Sequence, residues 1–113
     1  MDAKLIIELE NLKDDIKNSN EYKEFLEAEK ELENNEEVQV LSYKKEMAIV
    51  DYEDALKHFN EKSEEVMKAK MKLNEAITLL NSHEITIKYN KALTKLNILL
   101  SEIQKEIFGE IND

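Results

Sequence analysis

Apolar residues recur along this chain at intervals of three and four, which is the spacing of one face of an α-helix. Five such stripes follow one another. They are Leu5, Leu9, Leu12 and Ile16; Tyr22, Phe25, Leu26 and Leu32; Val38, Leu41, Ala48, Tyr52, Ala55 and Phe59; Val66, Ala69, Leu73, Ala76, Ile77 and Leu80; and Ile85, Tyr89, Ala92, Leu96, Leu99, Ile103 and Ile107. The pattern predicts five amphipathic helices.

Short polar segments separate the stripes and contain residue types that begin helices. Asn-Ser-x-Glu occurs twice, starting at Asn18 and at Asn81, while Asn34-Asn35 and Ser63 precede paired glutamates. Asn and Ser side chains accept hydrogen bonds from the unpaired amides of a first turn, and the following acids favour the helix dipole. We therefore expect caps at Ser19, Asn35, Ser63 and Ser82 or their Asn neighbours. The repeat has two open explanations, an internal duplication or the small choice of capping residues.

We predict an all-α bundle of about five helices with a long third and a long fifth helix and no sheet. The predicted bounds are 2–17, 20–33, 36–60, 64–80 and 83–109. The chain has no Pro and one Gly, so the usual signals of strands and hairpins are missing. Gly109 is expected to end the last helix, because Gly adopts a left-handed φ at little cost. The length of 113 residues suits a single helical domain, residues 1–113.

The charge balance argues against direct binding of nucleic acid. The net charge is −10, and all 16 basic residues are lysines. Nucleic-acid interfaces usually need a basic face, often with Arg side chains that reach phosphates and guanines. We therefore expect protein partners.

Targeting signals are also missing. No apolar run approaches the roughly 18 residues of a membrane span, and the N-terminal segment lacks the basic start and apolar run of a signal peptide. We expect a cytoplasmic protein that does not enter a membrane. The absence of Cys excludes disulfides, thiolate metal sites and iron-sulfur ligation.

The residues that could carry chemistry form no recognisable site. A di-iron bundle needs Glu-x-x-His on two helices, and neither His58 nor His83 has an acid three residues before it. With 26 acids, carboxylate pairs such as Glu102 and Glu106 are unavoidable on helix faces. We predict that the protein is not an enzyme and has no catalytic, cofactor or metal site.

Two further apolar rows lie beside the predicted core stripes. They are Val40, Tyr43, Met47 and Val50 on the third helix, and Leu93, Leu100, Ile107 and Ile111 on the fifth. A helix that is apolar on more than one side is usually buried on more than one side. We predict that these residues bind a partner protein. The alternative, that both rows widen the core face, stays open.

Three capped segments together resemble the YlbF/YmcA family of small helical bacterial proteins. These are NEYKEFLEAEKEL, NEEVQVLSYKKEM and NSHEITIKYNKALTKLNILLSEIQKEIFGEI. The matching positions are Tyr22, Ala28 and Leu32 in the first segment and Ile85, Tyr89, Ala92 and Leu96 in the last. This chain carries Glu36 and His83 where the family often has Pro, in a first turn that favours Pro without requiring it. The resemblance covers nearly the whole chain.

The resemblance implies a non-enzymatic, oligomeric adaptor. Its partners would be proteins, as a homodimer or as a hetero-oligomer with related helical proteins, in a complex that tunes the endoribonuclease RNase Y. Through that complex the family affects messenger RNA processing, competence, sporulation and biofilm formation. Some members bind an iron-sulfur cluster through cysteines, which this chain lacks, so no cofactor is expected. The alternative is a self-contained structural or chaperone-like helical protein with no fixed complex.

Overall fold

Five helices make up the part of the chain that the structure, a computed structural model, describes. The backbone is described for residues 2–112, and the side chains as far as residue 107 together with Gly109. The helices are α1 (Ala3–Lys17), α2 (Asn20–Asn34), α3 (Glu36–His58), α4 (Glu64–Ser82) and α5 (Glu84–Asn112). Residues 2–112 contain no strand, so the all-α prediction is confirmed. The longest helices are α3 with 23 residues and α5 with 29, as predicted.

None of the helices in residues 2–112 combines the length and the apolar character that crossing a bilayer requires.

Polar side chains begin the helices at three of the predicted positions. Ser19, Asn35 and Ser63 each accept a hydrogen bond from the backbone amide three residues later, at 3.2, 3.0 and 3.3 Å respectively. Each bond satisfies an amide that the first turn leaves unpaired. In a chain without Pro, these caps decide where one helix stops and the next begins.

The fourth predicted cap, at Asn81-Ser82, is wrong. Ser82 is the last residue of α4, and its hydroxyl donates to the carbonyl of Thr78 within that helix. His83 instead has extended backbone angles, and its Nδ1 accepts the amide of Ile85 at 3.1 Å. Because Nδ1 is an acceptor here, Nε2 carries the hydrogen and donates it to the Glu37 carboxylate, 3.0 Å away. His83 thus begins α5 and links it to the first turn of α3.

Gly109 does not end the last helix, contrary to the sequence-based expectation. The α5 helix continues through it to Asn112, and its φ is not positive. No Pro follows and no neighbouring atom lies within 4 Å of the place where a Cβ would be, so nothing makes the chain turn there. Gly109 is therefore an ordinary, exposed helical position.

The chain divides into two compact units. The first is built from α1, α2 as far as Lys30 and α5 from Lys88 onward, while the second runs from Glu31 to Ile87 and includes α3 and α4. The prediction of one domain is not decided by this division and stays a prediction.

The core of the first unit lies between α2 and α5. Its buried residues are Ala28, Ala92 and Leu96. At the edge of this core the rings of Phe25 and Tyr89 lie 5.5 Å apart between their centroids. Two alanines, a leucine and two aromatic rings therefore take part in the contact between α2 and α5.

The buried residues of the second unit lie in the first turns of its helices. Val38 exposes 1% of its surface and Val66 exposes 2%, and each is the residue whose amide is bound by a capping side chain. The third buried residue, Thr86, lies in the first turn of α5. Its hydroxyl is buried and has no hydrogen-bond partner among the described residues.

We expect Thr86→Val to stabilise the protein by about 1 kcal/mol in the free energy of unfolding. Val has nearly the shape of Thr, and a buried hydroxyl without a partner costs about 1–3 kcal/mol. Chemical denaturation followed by circular dichroism measures the change. Thr94→Val is the matched control, because the exposed Thr94 hydroxyl on the same helix donates to the Asn90 carbonyl at 2.9 Å. An equal gain in both variants would contradict the assignment.

We expect Gly109→Ala to raise the free energy of unfolding by about 0.5 kcal/mol, since Ala is the better helix former and meets no neighbour. Thermal and chemical denaturation test the sign. A clear loss of stability would mean that Gly109 adopts a left-handed conformation and ends the helix after all.

Candidate partner-binding surface

The α3 and α4 helices form a hairpin and are the pair whose backbones approach most closely among the described helices. A short turn joins them. Asn60 stabilises this turn with two hydrogen bonds. Its side chain accepts one from the Lys62 amide at 2.9 Å, and its carbonyl accepts one from the Ser63 amide at 2.8 Å. Phe59 is extended, so α3 ends there, and the Ser63 cap begins α4.

A groove of about 630 Å³ runs along this hairpin. Four alanines line it, Ala48 and Ala55 from α3 and Ala69 and Ala76 from α4. Larger apolar side chains also line it, namely Leu41, Tyr43, Met47 and Leu79. Because the alanines are short, the groove has room along the hairpin for side chains of another helix.

The predicted α3 row lies at this groove and is exposed. Val40, Tyr43, Met47 and Val50 expose between 43% and 63% of their surfaces. Tyr43 and Met47 also line the groove, so the row and the groove form one continuous apolar surface. The stripe residues Val38, Ala48 and Tyr52 of the same helix are buried or half-buried, whereas all four residues of the row are exposed.

The predicted α5 row differs from the α3 row. Leu93 and Ile107 are half-buried, and Leu100 exposes 38% of its surface. Ile107 lines a depression together with residues of α1, including Leu5 and Leu12. The side chain of Ile111 lies outside the described residues. The α5 row therefore borders the core face of its own unit, and its role in partner binding stays a prediction.

The charges around the groove balance, although the chain as a whole is strongly acidic. Lys44, Lys68 and Lys72 line it together with Asp51, Glu65 and Glu75. The net charge of the whole protein is −10. Although the whole chain is acidic, the lining of the groove is therefore locally neutral and mostly apolar.

Sequence reasoning assigned the groove alanines to the core stripes alone. The signal that could have distinguished them is their spacing, since Ala48 and Ala55 are seven residues apart, as are Ala69 and Ala76. Small residues at such a spacing on two neighbouring helices are typical of close helix contacts. The exposed Leu79, Met67 and Met71 on α4 were also missed.

The two histidines lie outside the groove. His58 is an exposed residue at the end of α3 whose Nε2 lies 3.4 Å from Asp54. His83 begins α5 and contacts Glu37. Within the part of the chain that the structure describes, no group of three His, Cys, Asp or Glu residues is arranged to hold a metal ion.

Comparison with known proteins agrees with the family resemblance. The family profile described as "Control of competence regulator ComK, YlbF/YmcA" matches residues 5–112. A search of curated proteins found no match. Among solved structures, a chain of the X-ray crystal structure of Bacillus subtilis RicA in complex with RicF has the same fold. Its TM-score is 0.89 at 20% sequence identity, and the alignment covers 99% of this chain and 96% of that chain. Because the profile spans nearly the whole sequence, this protein belongs to the YlbF/YmcA family, whose description is control of the competence regulator ComK.

Proposed function

We propose that this protein is a non-enzymatic cytoplasmic adaptor that acts in an assembly with other proteins. The observation that carries the proposal is the exposed α3 row, Val40, Tyr43, Met47 and Val50, which continues into the groove beside α4. Large contiguous apolar patches are uncommon on monomeric proteins and usually mark binding sites. The surface therefore supports a protein partner.

The composition of the groove supports the same role. Its lining combines apolar side chains, among them Tyr43 and Met47, with three lysines and three acids. Tyr and Met are enriched at interfaces between proteins, where apolar contacts are accompanied by polar and charged residues. The acidic remainder of the chain adds a reason to expect protein partners over nucleic acid.

The identity of the partners is proposed by analogy. Bacillus subtilis RicA was crystallised in complex with RicF, and a chain of that structure shares this fold. We propose that this protein likewise assembles with a second copy or with related helical proteins. The assembly would modulate messenger RNA processing that depends on the endoribonuclease RNase Y, and so competence, sporulation or biofilm formation. No cofactor takes part in the proposed role.

We expect the double variant Val40→Glu with Met47→Glu to lose assembly and stay helical. Both side chains are exposed in the single chain, so the new charges face water there. In an interface the same charges would be buried, which would cost several kcal/mol of binding free energy. Size-exclusion chromatography with light scattering measures assembly, and circular dichroism measures helix content.

Lys57→Glu is the matched control for that variant. It also changes the net charge by two units, at an exposed position near the end of α3 that does not line the groove. It should leave both assembly and helix content unchanged. Loss of helix together with assembly in the double variant would assign the row to the core and defeat the proposal, as would assembly that the double variant leaves intact.

Co-purification of the tagged full chain from native cytoplasm tests the partner. Stable recovery of related helical proteins or of an endoribonuclease supports the adaptor, and the double variant should lose them. A set of clients that changes with growth conditions, recovered equally by both forms, would support the chaperone-like alternative instead.

A further inference from the structure

We propose that the α3–α4 groove of one copy receives the α3 helix of a second copy, with the two α3 helices antiparallel about a twofold axis between Met47 and Ala48. The inference rests on the proposed function, because it names an occupant for the same surface. Two features of the groove carry it, the positions of its charges and the positions of its large and small side chains.

The charges of α3 complement each other in this arrangement. Lys44 and Asp51 both line the groove and are both exposed. They are about 10 Å apart along the helix axis, too far to pair within one chain, and neither is in an ion pair among the described residues. A twofold axis between residues 47 and 48 sets Lys44 of each copy opposite Asp51 of the other, and the symmetry forms this pair twice.

The side-chain sizes complement each other in the same register. Met47 of one copy lies opposite Ala48 of the other, and Val40 lies opposite Ala55. Large side chains therefore face small ones across the axis, as knobs face holes in packed helices. On α4, Ala69 and Ala76 leave room on the far side of the groove for the incoming helix.

A parallel arrangement of the two α3 helices lacks both features. In parallel and in register, Lys44 would face Lys44 of the second copy, and Asp51 would face Asp51. Like charges placed directly opposite each other weaken association. Ala48 would also face Ala48 and leave a gap. The antiparallel register therefore pairs opposite charges and places large side chains opposite small ones, which the parallel, in-register arrangement does not.

The hairpin face is large enough for a stable contact. With 23 residues α3 is about 34 Å long, and two helices side by side are roughly 18–20 Å wide. The face therefore offers about 600–700 Å² per copy, close to the ~800 Å² per partner of a typical specific interface. Because the charged residues that line the groove balance, two copies with a net charge of −10 each can meet there without excess negative charge at the contact.

Charge reversal on the full chain tests the register. Lys44→Glu and Asp51→Lys should each weaken dimerisation about tenfold, because each replaces two attractive pairs with two repulsive ones. The double variant Lys44→Glu with Asp51→Lys should return to within about threefold of the wild type, since it re-forms both pairs in reverse. Sedimentation velocity over a concentration series gives the dissociation constants, and circular dichroism confirms folding.

A matched control separates register from net charge. The variant Lys44→Glu with Glu53→Lys has the same net charge as the double reversal, but Glu53 is an exposed α3 residue that does not line the groove. It should stay as weak as Lys44→Glu alone. Equal recovery in both double variants would overturn the register.

Cysteine cross-linking gives a second readout that does not depend on the charge variants. The chain has no Cys, so Ala48→Cys introduces a single thiol beside the proposed axis. It should form a disulfide-linked dimer under mild oxidation, whereas Glu46→Cys, at an exposed position outside the groove lining, should not. A wild-type chain that stays monomeric, or equal cross-linking of the two cysteines, would overturn the inference. If related proteins still co-purify in that case, the proposed adaptor function stands.

Discussion

The second unit depends on the close approach of α3 and α4, and small side chains make that approach possible. Ala48 and Ala55 on one helix and Ala69 and Ala76 on the other recur every seven residues, so each helix presents short side chains along one line. Larger residues at these positions would push the helices apart and fill the groove between them. The contact that holds the hairpin together thus also forms the surface proposed to bind a partner.

Capping and core packing are combined at the same residues in this unit. Asn35 binds the amide of Val38 and Ser63 binds the amide of Val66, and both valines are almost completely buried. The cap sets the first turn of the helix, and the first turn sets the direction in which the buried side chain points. A change at either capping residue would therefore affect the helix start and the packing of its valine together.

The distribution of polar groups suits a protein that binds other proteins. An ion pair such as Lys95 with Glu24 lies on an exposed helix surface, where such pairs contribute little to stability. His83 bridges the starts of two helices and so has a structural position. The α3–α4 groove differs from such surfaces, because apolar side chains form most of its lining and its lysines and acids balance.

The sequence by itself determined the helices, their order and three of the four caps, because apolar spacing and capping chemistry are local properties of the chain. It also pointed to the α3 row, since residues that fall outside the core stripe of a helix are visible in its spacing. The sequence-based prediction was wrong where the local signals were ambiguous. Gly109 is a residue type that often ends helices, but α5 continues through it. Ser82 is a typical capping residue, but it lies within α4, and His83 begins α5 instead.

Only the tertiary structure separated the two apolar rows and revealed the groove. Periodicity assigns a residue to a face of its own helix, but the neighbours of that face are set by contacts distant in the sequence. Ile107 lies beside α1 residues, whereas the α3 row stays exposed beside the alanines of α4. Likewise, Thr86 looks like an ordinary polar residue in the sequence. Only the packing around it shows that its hydroxyl is buried.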